Sequence, residues 1–195
     1  METEPQTVTP LVGKFLVASP SLTEPTFARS VIFLLQHSEN GSLGLIVNRP
    51  LDVSVGEAVV EEVAAAASVS DPLHLGGPCT GPLTVLHDGS LTDDDGQTIG
   101  QCLSSGVCLT SDRLDIERLL ERDAGVGPRK FIVGYSGWGP GQLDGELEEG
   151  SWTVADGDVR QVLESGADLW TRVVGRLHVA QYVPEDRIPP DPSRN

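Results

Sequence analysis

Strand-like and helix-like segments mixed along one chain predict a single domain of the α+β class, a sheet with helices packed on it. Three observations carry the prediction. Short β-branched and aromatic runs bounded by turn residues recur from residue 13 to residue 155. Amphipathic helical patterns stand between and after them. No linker and no internal repeat divides the 195 residues, a length that suits one core. A hydrophobic content of 38%, with 22 Gly and 14 Pro, describes a globular chain rich in turns. The domain is expected to span residues 1–195, with 1–10 and 184–195 as extended or mobile ends.

Gly13 to Ala18 and Ser30 to His37 read as strands, and Val31 to Leu35, apolar on both faces, as a central one. Asn40-Gly41 before LGLIVN is the strongest short hairpin signal. With these two as the loop, His37 faces Gly44, Leu35 faces Ile46 and Phe33 faces Asn48. Asn48-Arg49-Pro50 ends that strand, because Pro donates no ladder bond and biases Arg49 away from the helical region. Ser54 and Glu57 form a capping box for a helix whose apolar face is Val55, Ala58, Val59, Val63 and Ala66, ending near Ser68.

Leu73-His74-Leu75 leads into a turn at Gly76-Gly77-Pro78, and Leu83 to His87 is a further strand. An acidic loop follows through Asp93-Asp94-Asp95. Gly106 to Thr110 is strand-like and runs into a helix capped by Ser111 or Asp112, with Ile116, Leu119 and Leu120 as its seam and Gly125 and Gly127-Pro128 as its stop. Lys130 to Tyr135 is a strand, and Ser136 to Gly141 reads as a Gly-rich bend before a short helix reaching Leu147. Ser151 to Ala155 is the last strand. Asp168 is placed to cap a final helix with a stripe of Leu169, Trp170, Val173, Val174 and Leu177.

Composition excludes several function classes. There are 13 basic residues against 29 acidic, a formal charge of −16, which opposes a polyanionic partner. The densest basic stretch, Arg113 to Lys130, is interleaved with Asp115, Glu117, Glu121 and Asp123. No apolar run approaches the ~20 residues of a membrane helix, and the acidic N-terminal residues have no signal-peptide pattern. The odd set Cys79, Cys102 and Cys108, without a C-x-x-C pair, reads as reduced thiols in a cytoplasmic protein.

Candidate chemistry is sparse. Gly134-Tyr135-Ser136-Gly137-Trp138 resembles a nucleophile elbow, and Ser136, Asp168 and His178 even follow hydrolase order. Trp138 occupies a position where an elbow needs a small residue, so no catalytic residue is assigned. His74, Cys79 and His87 match no recurrent zinc spacing, Gly76-Gly77-Pro78 lacks the residues of a P-loop, and the Asp93 cluster lacks the Glu of an EF-hand. No metal or cofactor is expected.

Three blocks resemble the YqgE/AlgH family of bacterial proteins: Leu16 to Leu51, with SPSL and NGSLGLIVNRP; His74 to His87, HLGGPCTGPLTVLH; and Arg129 to Trp152, with GWGPGQL. Asp168-Leu169-Trp170 and the closing Asp191 to Asn195 are similar to the family's C-terminal end. The resemblance implies a large mixed, mostly antiparallel twisted sheet with packed helices, which can also be classed as a three-layer α/β sandwich. It implies no catalytic residue, cofactor or substrate. The family carries a transcriptional-regulator label that comes from an association with alginate production in pseudomonads. Ser136 departs from the family, where Ala is common.

The leading expectation is therefore a non-enzymatic regulatory or interaction protein that binds another protein or a small ligand. The alternative is a DNA-binding regulator, with a serine hydrolase third. Residues at strand ends supply the candidate binding patch: His37, Asn40, Asn48, Arg49, Gly77, Pro78, His87, Trp138 and Gln142.

Overall fold

The computed structural model describes residues 11–59, 69–121, 127–164 and 166–182. Among them are ten strands: β1 (Phe15–Ala18), β2 (Val31–Ser38), β3 (Gly41–Ile46), β4 (Pro50–Ser54), β5 (Pro72–Leu75), β6 (Cys79–His87), β7 (Gln101–Cys102), β8 (Cys108–Thr110), β9 (Arg129–Trp138) and β10 (Trp152–Ala155). The five helices are α1 (Val55–Val59), α2 (Arg113–Glu121), α3 (Gln142–Glu148), α4 (Val159–Glu164) and α5 (Leu169–Tyr182). Eight of the strands form a continuous path in the order β10-β1-β2-β3-β9-β6-β8-β7, and the other two join it through β5, which pairs with β4 and with β9. Every pairing among them is antiparallel except β5 with β9. The α+β class and the mostly antiparallel sheet are as the sequence and its resemblance led us to expect.

β9 organises the sheet. One of its edges pairs with β6, while the other pairs first with β5, at Leu73–Phe131 to Leu75–Val133, and then with β3, at Gly44–Ser136 to Ser42–Trp138. Gly76 makes the transfer, since its N–H donates to Val133 O and its carbonyl accepts from Ile46 N–H. The sheet carries three apolar clusters. α4 and α5 cover one face through Val162, Leu163, Leu169 and Val173 against Phe15, Phe33, Leu45 and Ile132. α1 and α2 cover a second cluster around Phe131, Ile116, Leu119 and Leu120. α3 covers a third around Ile32, Leu34, Trp138 and Trp152. The apolar seam read from helical spacing is buried in α2, and in α5 Leu169 and Val173 are buried while Trp170, Val174 and Leu177 pack partly buried against the same cluster.

Several expectations need correction. In the first hairpin the loop is Glu39-Asn40, and Gly41 is already a strand residue paired with Ser38. His37 faces Ser42 rather than Gly44, and a bulge between Leu34 and Gln36 shifts the register again, so that Phe33 faces Leu45. The reason is Gly41. A Cβ there would stand 2.4 Å from the Trp138 carbonyl of β9, and its φ is +126°. The glycine is therefore used where a third strand closes in, not at the loop's tip.

The first half of the Gly-rich segment is no bend, because β9 continues through Ser136 and Gly137 to Trp138, and the turn comes only at Pro140-Gly141. The strand pattern lost its apolar signal there, not its ladder. β3 does end before Asn48-Arg49-Pro50, and Pro50 then begins β4, a first-residue position that Pro tolerates. The capping box forms as read, with Glu57 Oε2 accepting from Ser54 N–H at 2.9 Å and Ser54 Oγ accepting from Glu57 N–H at 3.2 Å. Val63, Ala66, Gly125 and the two termini lie outside the described residues.

The cysteine reading also fails. Cys102 and Cys108 are joined by a disulfide. They stand opposite each other on β7 and β8, with Cα atoms 3.9 Å apart. Cysteine parity and C-x-x-C spacing do not register a cross-strand pair, which the hairpin turn at Gly106 creates. The argument from reduced thiols to a cytoplasmic setting lapses with it. No described helix is long and apolar enough to cross a membrane.

Candidate functional site

The sheet face that α4 and α5 partly cover holds a cavity of about 390 Å³. That size lies in the usual range for small-molecule sites. β2 and β3 supply Leu35, Gln36, Leu43 and Leu45, β6 supplies Pro82 and Thr84, and β9 supplies Gly134 and Tyr135. The remaining wall is Gln101 and Leu103 at β7 with Leu109 and Ser111 at β8.

Two backbone irregularities shape it. The β2 bulge lets the consecutive residues Leu35 and Gln36 both line the cavity, where a regular strand would send one to each face. A second irregularity in β6 lies between Cys79 and Leu83. There the Tyr135 ring is held between two glycines: a Cβ at Gly81 would come within 2.9 Å of it and one at Gly137 within 3.2 Å. On the floor, Thr84 Oγ1 and Ser111 Oγ are hydrogen-bonded at 2.8 Å. Among the described residues no charged side chain lines the cavity. The polar groups are two amides, two hydroxyls and a phenol.

The nine residues chosen from sequence do not form one patch. His37, Asn40, Trp138 and Gln142 do gather, where the first hairpin meets the end of β9 and α3. His37 Nδ1 lies 2.8 Å from Ser42 Oγ, and its Nε2 lies 3.5 Å from Asp144 Oδ1. The Glu146 carboxylate accepts from the indole N–H of Trp138 at 2.9 Å, from that of Trp152 at 2.7 Å and from the Gln142 amide at 2.8 Å. The two indoles meet edge to face at 6.0 Å, so Trp138 is a packing residue under α3. Asn40 is exposed in the turn.

The others are elsewhere. Asn48, at the opposite end of β3, accepts from Val31 N–H at 2.8 Å and donates to Arg29 O at 3.0 Å. The Arg49 guanidinium donates to the carbonyls of Pro25, Thr26 and Ala28, tying down the loop before β2. His87 is fully buried: Gly89 N–H donates to its Nδ1, which leaves Nε2–H for Ile99 O at 2.9 Å. Burial holds its pKa below the ordinary value. Gly77 packs against the Tyr135 backbone, and Pro78 beside it is exposed.

Ser136 is fully buried and donates to Gly76 O at 3.1 Å. Among the described residues no group of three metal-ligating side chains comes together. Tyr135, Gln36 and Gln101 were not singled out from sequence. Apart from the two glycines that flank Tyr135 at a distance, no sequence signal marks them.

A family model described as AlgH-like matches residues 15–181. A UPF0301 protein of Xanthomonas campestris is 37% identical over 178 residues, covering 88% of this chain and 91% of that one. Another, from Ruegeria pomeroyi, is 40% identical over 163 residues, covering 81% and 86%. The solution structure of the AlgH protein from Pseudomonas aeruginosa matches with a TM-score of 0.69 at 23% identity, covering 94% of this chain and 98% of that one. A crystal structure of a Corynebacterium diphtheriae protein matches with a TM-score of 0.67 at 28% identity, covering 90% of each.

Proposed function

From the premise that this chain belongs to the AlgH-like family, we propose that it is a non-enzymatic binding protein for a small uncharged ligand with an apolar body and one or two hydrogen-bonding groups. The observation that carries the reading is the cavity beside α4 and α5, with leucine walls, five neutral polar side chains and, among the described residues, no charge. A charged ligand would leave its hydration there without a counter-charge, at a cost of several kcal/mol. A neutral amide, alcohol or heterocycle finds partners in Gln36, Gln101 and Tyr135.

The test is a titration with the neutral fluorophore N-phenyl-1-naphthylamine, followed by native mass spectrometry of protein isolated without extraction. Saturable binding that falls at least tenfold in Leu103→Trp, which fills the cavity, supports the reading. Absence of saturable binding by the unaltered protein, together with no retained small molecule, overturns it.

One arrangement favours a second reading. Ser42, His37 and Asp144 run in hydroxyl–imidazole–carboxylate order, as in a hydrolase relay. The serine lies inside a ladder and the cavity is lined by neither Ser42 nor His37. A fluorophosphonate probe decides: stoichiometric labelling at Ser42 would promote the hydrolase, whereas the binding reading expects no labelling at Ser42 or Ser136.

A further inference from the structure

One wall of the cavity differs from the rest. β2, β3, β6 and β9 are each flanked by other strands, but β7 is a two-residue edge strand paired only with β8. The β7–β8 hairpin lines the cavity with both arms, through Gln101 and Leu103 on one and Leu109 on the other. Its tip closes with Leu103 N–H donating to Val107 O at 2.9 Å and Gly106 N–H to Leu103 O at 3.0 Å. Ser105 at the tip rests on Gly13, where a Cβ would stand 3.3 Å away. β8 is anchored, with three pairings to β6 and Val107 and Cys108 buried. Besides the hairpin's own main chain, β7 is tied to that anchor by the Cys102–Cys108 disulfide, exposed at Cys102 and 2% exposed at Cys108.

We propose that Cys102–Cys108 is a redox latch on the ligand cavity: oxidised, it holds the β7 arm against β8 and completes the wall, and reduced, it releases that arm and weakens ligand binding. The proposal rests on the reading of the cavity as the ligand site. The reductant is a dithiol. One of its thiolates attacks the exposed Cys102 Sγ, forming a mixed disulfide as the Cys102–Cys108 bond breaks, and the electron pair leaves on Cys108 Sγ, which takes up a proton. The second thiol of the reductant, deprotonated, then attacks its own sulfur in the mixed disulfide. That step releases Cys102 as a thiolate, which is protonated, and the reductant departs as a disulfide. Two electrons and two protons pass to the protein, and the reverse sequence with an oxidised dithiol closes the latch. Cys79, free on β6 opposite Tyr135, takes no part and serves as the control.

The experiment uses the full chain with and without dithiothreitol, and the variants Cys102→Ser/Cys108→Ser and Cys79→Ser. Thiol titration under denaturing conditions should find one thiol in the oxidised protein and three after reduction. Binding of N-phenyl-1-naphthylamine should weaken at least fivefold on reduction, recover on reoxidation, stay weak in the double variant and be unchanged in Cys79→Ser. Hydrogen exchange at residues 101–103 should accelerate on reduction while β6 and β9 stay protected. Three thiols in protein purified without reductant, or equal probe affinity in both states, overturns the latch. If the probe binds in neither state, the cavity reading has failed, and unchanged exchange at 101–103 then overturns the latch as well.

Discussion

His74 on β5 and Lys130 on β9 are both buried basic residues, 5% and 3% exposed. Burial first, and then the charge of Lys130, push the His74 pKa down to about 4. Burial brings the Lys130 ammonium down to about 7, while it donates to Val47 O at 2.6 Å. Both pKa values are lower in the folded than in the unfolded chain, so the unfolded chain binds more protons and stability rises with pH across each interval. For His74 that interval runs from about 4 to the ordinary 6.5, and its loss on acidification is on the order of 3 kcal/mol. His87 acts in the same direction. Glu24 and Glu57, whose pKa values are lowered by hydrogen bonds, add their loss only at more acid pH. We expect the urea midpoint to fall steadily from pH 7 to pH 4.5 and the slope to flatten in His74→Gln. A midpoint that does not move over that range would refute the assignment. None of this was readable from the sequence, where His74 and His87 were only two histidines near strand ends.

Single elements show which signals the sequence carries well. Helical spacing gave the packed seams of α2 and α5, and the Ser54 capping box formed as read. These signals are local, and local geometry decides them. The first hairpin was legible as a hairpin but not in its register, because the deciding contact comes from Trp138, far along the chain. The two registers make opposite expectations. With Gly41 at φ +126° and the Trp138 carbonyl against it, Gly41→Ala should cost several kcal/mol through strain and a displaced strand. Asn40 has no left-handed conformation to protect, since Arg29 is the only non-glycine described with positive φ. Asn40→Ala should therefore stay within about 0.5 kcal/mol, the usual range for an exposed substitution. Equal losses in urea melts of the two variants would restore the Asn40-Gly41 loop. In the loop before β2, Arg49→Ala removes the guanidinium from three carbonyls. Faster hydrogen exchange at 27–30, with β5 and β6 unchanged, is the expected outcome.

At the scale of the molecule, the fold class was legible because periodicity, turn residues and the family blocks all reported on the same sheet. The cavity was not, because it is made by two strand irregularities and by a hairpin wall whose disulfide has no spacing signature. Charge is the one property of the whole chain that sequence states outright, and it bears on the regulator label. A specific DNA complex is positioned by several phosphate contacts presented on one surface. With 13 basic against 29 acidic residues, such a surface would have to come from a local cluster. The arginines of α2 are instead engaged by acids of the same helix, Arg113 with Glu117 at 2.8 Å and Arg118 with Asp115 at 3.8 Å. Arg129 is paired with Asp71 at 3.1 Å and Arg172 with Asp168 at 2.9 Å. A phosphate backbone approaching these four arginines meets a carboxylate beside each of them, so repulsion accompanies attraction. We therefore expect no sequence-dependent binding to duplex promoter fragments at about 0.15 M salt, where specific regulators reach roughly 10⁻⁸ M or tighter. Gel-shift or anisotropy titration of the purified protein, oxidised and reduced, is the check. Nanomolar, sequence-dependent binding in either state would make the protein a direct regulator. Its absence would agree with the proposed reading, in which any regulatory effect is indirect.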